Sequence, residues 1–199
     1  MKILLACEES QRVCIEMRKR GHEAYSCDLL PCSGGHPEWH IQDDVLKHLG
    51  DGWDMMIAFP PCTRLTNSVI WYIRKYSLGD EVIDACIFFN KLLNAPIDKI
   101  GVENPIQHGD ARKLIRKYDQ IIQPYQFGDD ASKSTCLWLK NLPKLKPTAY
   151  VEPRIIKGKK RWSNQTDGGW NKLPPSKGRG VLRSKTFPGI AKAMADTWG

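Results

Sequence analysis

Two short turns place a nucleophile and an acid where a ligand could meet both. Phe59-Pro60-Pro61-Cys62 closes an apolar run that begins at Met55, and Glu103-Asn104-Pro105 follows a second run, Lys99 to Val102. Each run reads as a short buried strand, and in an open α/β sheet ligands sit beyond the carboxyl ends of the strands. A thiol and a carboxyl at two such ends could together activate a pyrimidine. Carbon 5 of cytosine is not nucleophilic until carbon 6 is attacked. A thiolate adding at C6, with an acid at N3, gives an enamine whose C5 accepts an electrophilic methyl group. That chemistry needs a thiolate on a rigid turn and a carboxyl held near neutrality by burial. Cys62 and Glu103 fit the two roles, and Pro60 and Pro61 lock two φ angles of the turn. Taken alone, Cys62 would read as an inert small residue; the second segment favours function.

The elements that must hold these residues alternate between strand and helix. Lys-Ile-Leu-Leu-Ala at 2–6 predicts a first strand, Cys7-Glu8-Glu9-Ser10 a turn, and 11–20 a helix with Ser10 as N-cap and Gly21 as its stop. Residues 22–27 predict a second strand ending at Asp28, 31–40 a loop, and Asp44 the start of a short helix. Further helices are expected near 68–76, 81–93, 111–118 and 188–198, and strands over 121–127 and 135–140. No regular structure is expected from 141 to 180. This alternation implies an α/β fold, a doubly wound and mostly parallel sheet of Rossmann-like type. The 199 residues divide into a body, 1–149 with 181–199, and a basic flap, 150–180.

The first strand, turn and helix, with an acid ending the second strand, have the layout of a nucleoside site. Asp28 lies at a suitable distance to bind ribose hydroxyls, although Asp is also a common turn residue. The G-x-G-x-x-G fingerprint is missing, and Glu8 and Glu9 would repel a diphosphate, which argues against NAD, FAD and ATP. S-adenosylmethionine carries no phosphate but has a sulfonium and an ammonium, so acidic residues suit it. Asp43 and Asp44 could reach its adenine amino group.

The net charge of +8 is local: between Glu152 and Lys185 stand ten Lys or Arg against Glu152 and Asp167, which is the whole excess. Such a stretch points to a polyanion partner, and Trp162 and Trp170 within it could stack on bases. The competing readings are a solvated loop and tryptophans that pack the flap on the body. Seven cysteines without a CxxC pair argue against a disulfide scaffold or a zinc ribbon, and Cys14, Cys86 and Cys136 fall in apolar patterns. Cys27, Cys32, His36 and His40 match no common zinc spacing, so no metal is expected. Nothing approaches the ~20 apolar residues of a membrane span, and the start runs into a strand rather than a signal peptide. A reduced, cytoplasmic protein with no membrane partner is expected.

Phe59-Pro60-Pro61-Cys62, Glu103-Asn104-Pro105 and Lys133-Ser134-Thr135-Cys136-Leu137-Trp138-Leu139, in that order, resemble the motifs of the DNA cytosine-5 methyltransferases, particularly the short phage-encoded type. The resemblance covers roughly 2–142 and 184–199. It implies an S-adenosylmethionine-dependent methyltransferase fold acting on cytosine in DNA, with Cys62 as nucleophile and Glu103 at N3. It implies a cofactor site of Cys7, Glu8, Ser10, Asp28, Leu29, Asp44, Val45 and Pro61, completed by Ser184 to Thr186. On the substrate side stand Pro60, Arg64, Asn104, Lys133 and Thr135, with Lys159, Lys160 and Arg161 for phosphates. The chain differs from the family in its first turn, which has Cys7-Glu8-Glu9-Ser10 in place of Phe-x-Gly-x-Gly. It also has Ser132-Lys133-Ser134-Thr135 in place of Gln-x-Arg-x-Arg and only the flap in place of a recognition domain. Two alternatives stay open: a cytidine mononucleotide enzyme, and a nucleic-acid-binding protein with a decayed site.

Overall fold

Apolar runs that do not alternate are buried on both faces, and here they become the inner strands of one sheet. The computed structural model describes residues 1–176 and 178–199; Lys177, one of the ten cations of the basic stretch, lies outside the described residues. The strands are β1 (Lys2–Ala6), β2 (Glu23–Asp28), β3 (His40–Gln42), β4 (Met55–Ala58), β5 (Lys99–Pro105), β6 (Gln120–Ile122) and β7 (Thr135–Lys140), with a separate hairpin of β8 (Arg154–Ile156) and β9 (Lys159–Arg161). The seven-stranded sheet runs β3-β2-β1-β4-β5-β7-β6. Its β1–β2, β1–β4, β2–β3 and β4–β5 pairs are parallel, and only β7 runs against its neighbours. This is the expected doubly wound, Rossmann-like α/β fold.

The helices are α1 (Arg12–Lys19), α2 (Ile70–Lys75), α3 (Gly79–Leu93), α4 (Ala111–Leu114), α5 (Arg179–Ser184) and α6 (Pro188–Trp198). On one face of the sheet Phe89 and Leu92 of α3 pack with Leu4, Met56, Ile100 and Trp138. On the other, Val13 and Met17 of α1 and Ile190, Met194 and Trp198 of α6 cover Ile3, Leu5, Ile57 and Leu137. Each large side chain buried in this way contributes about 1.5–3 kcal/mol. No helix among the described residues is long and apolar enough to cross a membrane.

Several boundaries depart from expectation. Glu103, Asn104 and Pro105 are not a turn but the last residues of β5, held in the ladder by Leu137, Cys136 and Thr135 of β7. The strand expected over 121–127 stops at Ile122, and Pro124, which has no N–H to donate, opens a 3-10 turn. Helix α4 ends at Leu114 because Ile115 turns extended to bury its side chain. Ser10 is not the N-cap of α1; Gln11 holds that position with φ of 55°. The β8–β9 hairpin lies in the stretch expected to be irregular, and β3 and α5 begin in such stretches and run on into residues assigned no element. Each is three to six residues long, too short for a periodic apolar signal.

Candidate active site

The chain leaves β1 and β4 in opposite directions across the sheet, so the crevice beyond their carboxyl ends is the position where such folds hold ligands. The Phe59 N–H donates to the Ala6 carbonyl at 2.9 Å, which starts the Pro60–Cys62 turn directly beside the β1 turn. The Asn104 amide on β5 donates to the Pro60 carbonyl at 2.8 Å and ties the two motif segments together. The Cys62 carbonyl accepts from Leu65 N at 3.0 Å and Thr66 N at 3.2 Å, closing one tight turn.

His108, 1% exposed, grips that turn from below. Its backbone N–H donates to the Leu65 carbonyl at 2.9 Å, and its Nε2 lies 2.9 Å from the Arg64 carbonyl. Nδ1 accepts from the Ala111 N–H at 3.3 Å, which assigns the ring proton to Nε2. Nothing in the sequence marked His108, because its partners are backbone groups brought together only by the fold.

Glu103 is buried, and burial pushes its carboxyl above the ordinary carboxylate range against the pull of the Lys133 charge and the Thr135 hydroxyl. Thr135 reaches it because it is the diagonal cross-strand neighbour on the same face of β7. Burial also raises the Cys62 thiol; Lys133 opposes this, Glu103 adds to it, and Arg183 opposes it in turn. The thiol and the carboxyl therefore feel one another and the same lysine. Lys133 Nζ is itself held by the Arg183 carbonyl at 3.2 Å, so α5 reaches this space as well. Cys62, Glu103, Lys133 and Thr135, chosen from sequence, thus share one neighbourhood at the carboxyl rim. Arg183 and α5 were missed.

The β1 turn is built differently from a phosphate loop. Cys7 and Gln11 both take positive φ, 59° and 55°, a conformation glycine adopts more cheaply. The Glu8 carboxylate turns inward and accepts from Val13 N at 2.7 Å and Cys14 N at 3.2 Å, using amides a phosphate would need. Burial raises its pKa to about 8, while those two amides pull the other way. Gln11 pins the loop after β2, donating to the His36 carbonyl and accepting from the His36 N–H. Gly34 is obligatory there, since a Cβ would strike Gln11 and the Ser10 carbonyl.

Around this turn Cys7 lies within the field of Asp28 and Asp44, which, after burial itself, help hold its thiol protonated. Asp28 Oδ1 caps Leu30 N, and Asp44 accepts from Leu46 N. Leu29 is exposed and Val45 lies in the core. Ser10 and Thr186 are buried; the Thr186 carbonyl accepts from Arg12 at 2.7 Å, and Lys185 reaches Ser33 at 3.1 Å. The segment 184–186 therefore lies across the start of α1, although the Ser184 hydroxyl bonds Val181 of its own helix. The Glu9 Oε1 atom is buried without a partner among the described residues. The carboxyls of Asp28, Asp44 and Glu9 thus surround a helix start whose Val13 and Cys14 amides are already taken by Glu8, an arrangement that favours hydrogen-bond donors over phosphates.

The remaining candidates are more dispersed. Pro60 is buried and Pro61 exposed. Arg64 pairs with Glu81 at 2.6 Å. Lys159 and Lys160 are exposed on β9, whereas Arg161 donates to the Asp167 carbonyl at 3.0 Å. Trp162 stacks on Tyr125 at 4.3 Å and packs the flap on the body, while Trp170 is 79% exposed. His40 bonds Ser26 and the Leu30 carbonyl, and among the described residues no three His, Cys, Asp or Glu gather as metal ligands. A surface depression lined by Leu46, Ile87 and Pro96 sits where the chain enters β4 and β5, away from Cys62.

No family model matches the chain, and no curated protein matches it. Among solved structures it is similar to a provisionally named DNA modification methyltransferase encoded within an E. coli prophage, at 13% identity and a TM-score of 0.48. The similarity covers 77% of this chain and 52% of that one, so the chain spans about half the length of that structure.

Proposed function

We propose that the protein is an S-adenosylmethionine-dependent methyltransferase acting on C5 of cytosine in DNA. The observation that carries this reading is the Asn104–Pro60 hydrogen bond, which ties the Cys62 turn to the strand end bearing Glu103, with the Lys133 charge acting on both groups. The cofactor supplies the methyl group. Asp28 would take its ribose hydroxyls, Asp44 the adenine amino group and Glu9 its ammonium.

The Cys62 thiolate forms a bond to C6, and the displaced electron pair is stabilised at N3 by the proton of Glu103. C5 then takes the methyl group and loses its proton to solvent. The Sγ–C6 bond breaks, the thiolate returns, and N3 gives its proton back to Glu103. Lys133 favours the thiolate in this cycle and Asn104 fixes the turn. The body 1–149 with 181–199 would do the chemistry, and the flap 150–180 would hold phosphates through Lys159 and Lys160. A duplex substrate requires the base to be flipped into the site.

The test is methyl transfer from labelled S-adenosylmethionine to duplex DNA, single-stranded DNA and dCMP. DNA is expected to be labelled; labelling of dCMP alone would remove the DNA substrate. Cys62→Ser is expected to abolish transfer with an unchanged melting temperature, since a hydroxyl is far less nucleophilic at neutral pH. A 5-fluorocytosine oligonucleotide, which cannot lose a proton from C5, is expected to become covalently attached to the wild type and not to the variant. Substantial methylation by Cys62→Ser would overturn the assigned role.

A further inference from the structure

Helix α2 leaves the Cys62 turn with one buried side chain, Ile73, and an outer face of aromatic rings. Trp71 is 68% exposed and Tyr72 44% on the helix, and Tyr76, its C-cap, is 51% exposed. Two cations lie against these rings. Arg64, two residues after the nucleophile, lies 5.9 Å over Tyr72. Tyr72 and Tyr76 are 4.6 Å apart, and Lys75 Nζ sits 5.2 Å over Tyr76 and 5.0 Å over Trp71. These contacts join Arg64, Tyr72, Tyr76, Lys75 and Trp71 into one aromatic and cationic patch on the exposed side of α2, which begins eight residues after the candidate nucleophile.

We propose that this patch binds an unpaired nucleic-acid strand on one side of the target base, so that the substrate is single-stranded or locally opened. The inference rests on the cytosine-methyltransferase reading for its starting point at Cys62, but not for its own chemistry. Bases in a duplex keep their faces stacked on one another, and only unpaired bases offer a face to Trp71 or the tyrosines. Cations against the rings suit the phosphates that separate successive bases. From Trp71 to Tyr76 the backbone advances about 7.5 Å, which matches about two nucleotides at about 3.4 Å each along one strand. Arg64 shares its charge with Glu81, so Lys75 is the stronger phosphate contact.

The experiment is fluorescence anisotropy with a labelled single-stranded oligonucleotide and its duplex, without cofactor, on the full chain. Trp71→Ala, Tyr76→Ala and Trp71→Phe are compared with the wild type. Because both rings are exposed, melting temperatures should not move. Trp71→Ala is expected to weaken single-strand binding about ten- to a hundredfold, with Tyr76→Ala in the same direction. Trp71→Phe should restore most of the affinity, and duplex binding should change less than about twofold. Unchanged single-strand affinity in both alanine variants overturns the proposal. So does a wild-type dimer that Trp71→Ala splits in sedimentation, because the rings would then belong to a protein interface. If binding depends on Trp71 but no methylation of any cytosine occurs, the patch stands and the catalytic reading falls.

Discussion

The ionisation of Cys62 is set by neighbours from three other parts of the chain. Burial and Glu103 favour the thiol; Lys133 and Arg183 favour the thiolate. These signs can be read without any substrate, from the pH dependence of iodoacetamide alkylation followed by mass mapping of the Cys62 peptide. Lys133→Met removes a positive charge, so the thiol pKa should rise and alkylation at pH 8 should slow by about three- to tenfold. Glu103→Gln removes the group that opposes ionisation, and the rate should rise. Movement in the opposite direction in either variant would mean that the groups do not share one space. In the proposed reaction Glu103→Gln should also lower kcat by about 10²–10⁴. The thiol and the acid were legible because their types and strand-end positions already restrict the chemistry. His108 was not, since its ring bonds only main-chain atoms, one of them in a turn 44 residues earlier in the chain.

Among the elements, α1 shows how a local rule can be satisfied by an unexpected residue. Its start needs an acceptor for free amides, and Glu8 supplies both oxygens from outside the helix while Ser10 does not serve. Burial raises the Glu8 pKa to about 8, above its value of 4.5 in an unfolded chain. A carboxyl with a raised folded pKa stabilises the fold below the unfolded pKa and loses that contribution as pH rises through the folded one. Glu8→Gln does not titrate and loses one acceptor. Its deficit in urea unfolding should therefore be largest near pH 5, about 1–3 kcal/mol, and shrink toward pH 9. A deficit that grows with pH would mean that the charged form is the stabilising one. The same contrast explains which elements the sequence revealed. Strands β1, β4 and β7 stand out as mainly apolar runs, and helices α3 and α6 are long enough to repeat apolar residues at helical spacing. Strand β3 and the β8–β9 hairpin are defined by pairing with distant or polar segments, which no local pattern encodes.

At the scale of the whole molecule, the sheet gathers the acids at its β1–β2 rim and the cations on the flap and α2. Within the flap the basic residues divide into two kinds. Arg154 pairs with Asp167 at 3.5 Å, and Arg161 donates to the Asp167 carbonyl, so both hold the hairpin and its following turn together. Lys159 and Lys160 are exposed and form no ion pair among the described residues. Trp162, stacked on Tyr125 and bonded to the Val151 carbonyl at 3.2 Å, anchors this assembly to the body, so the lysines stand on a docked surface. A cation that neutralises a phosphate releases a counterion, and each contact adds about 0.9 to the salt slope on duplex DNA and about 0.7 on a single strand. Replacing Lys159 and Lys160 with Gln should therefore reduce the slope of log Kobs against log salt by about 1.8 on duplex or about 1.4 on single strands, without shifting the melting temperature. Arg161→Gln should instead loosen the hairpin, seen as faster tryptic cleavage at Lys157 and Lys159. A salt slope unchanged in the double lysine variant would place the flap away from the phosphates and leave α2 as the remaining cationic route to the nucleophile.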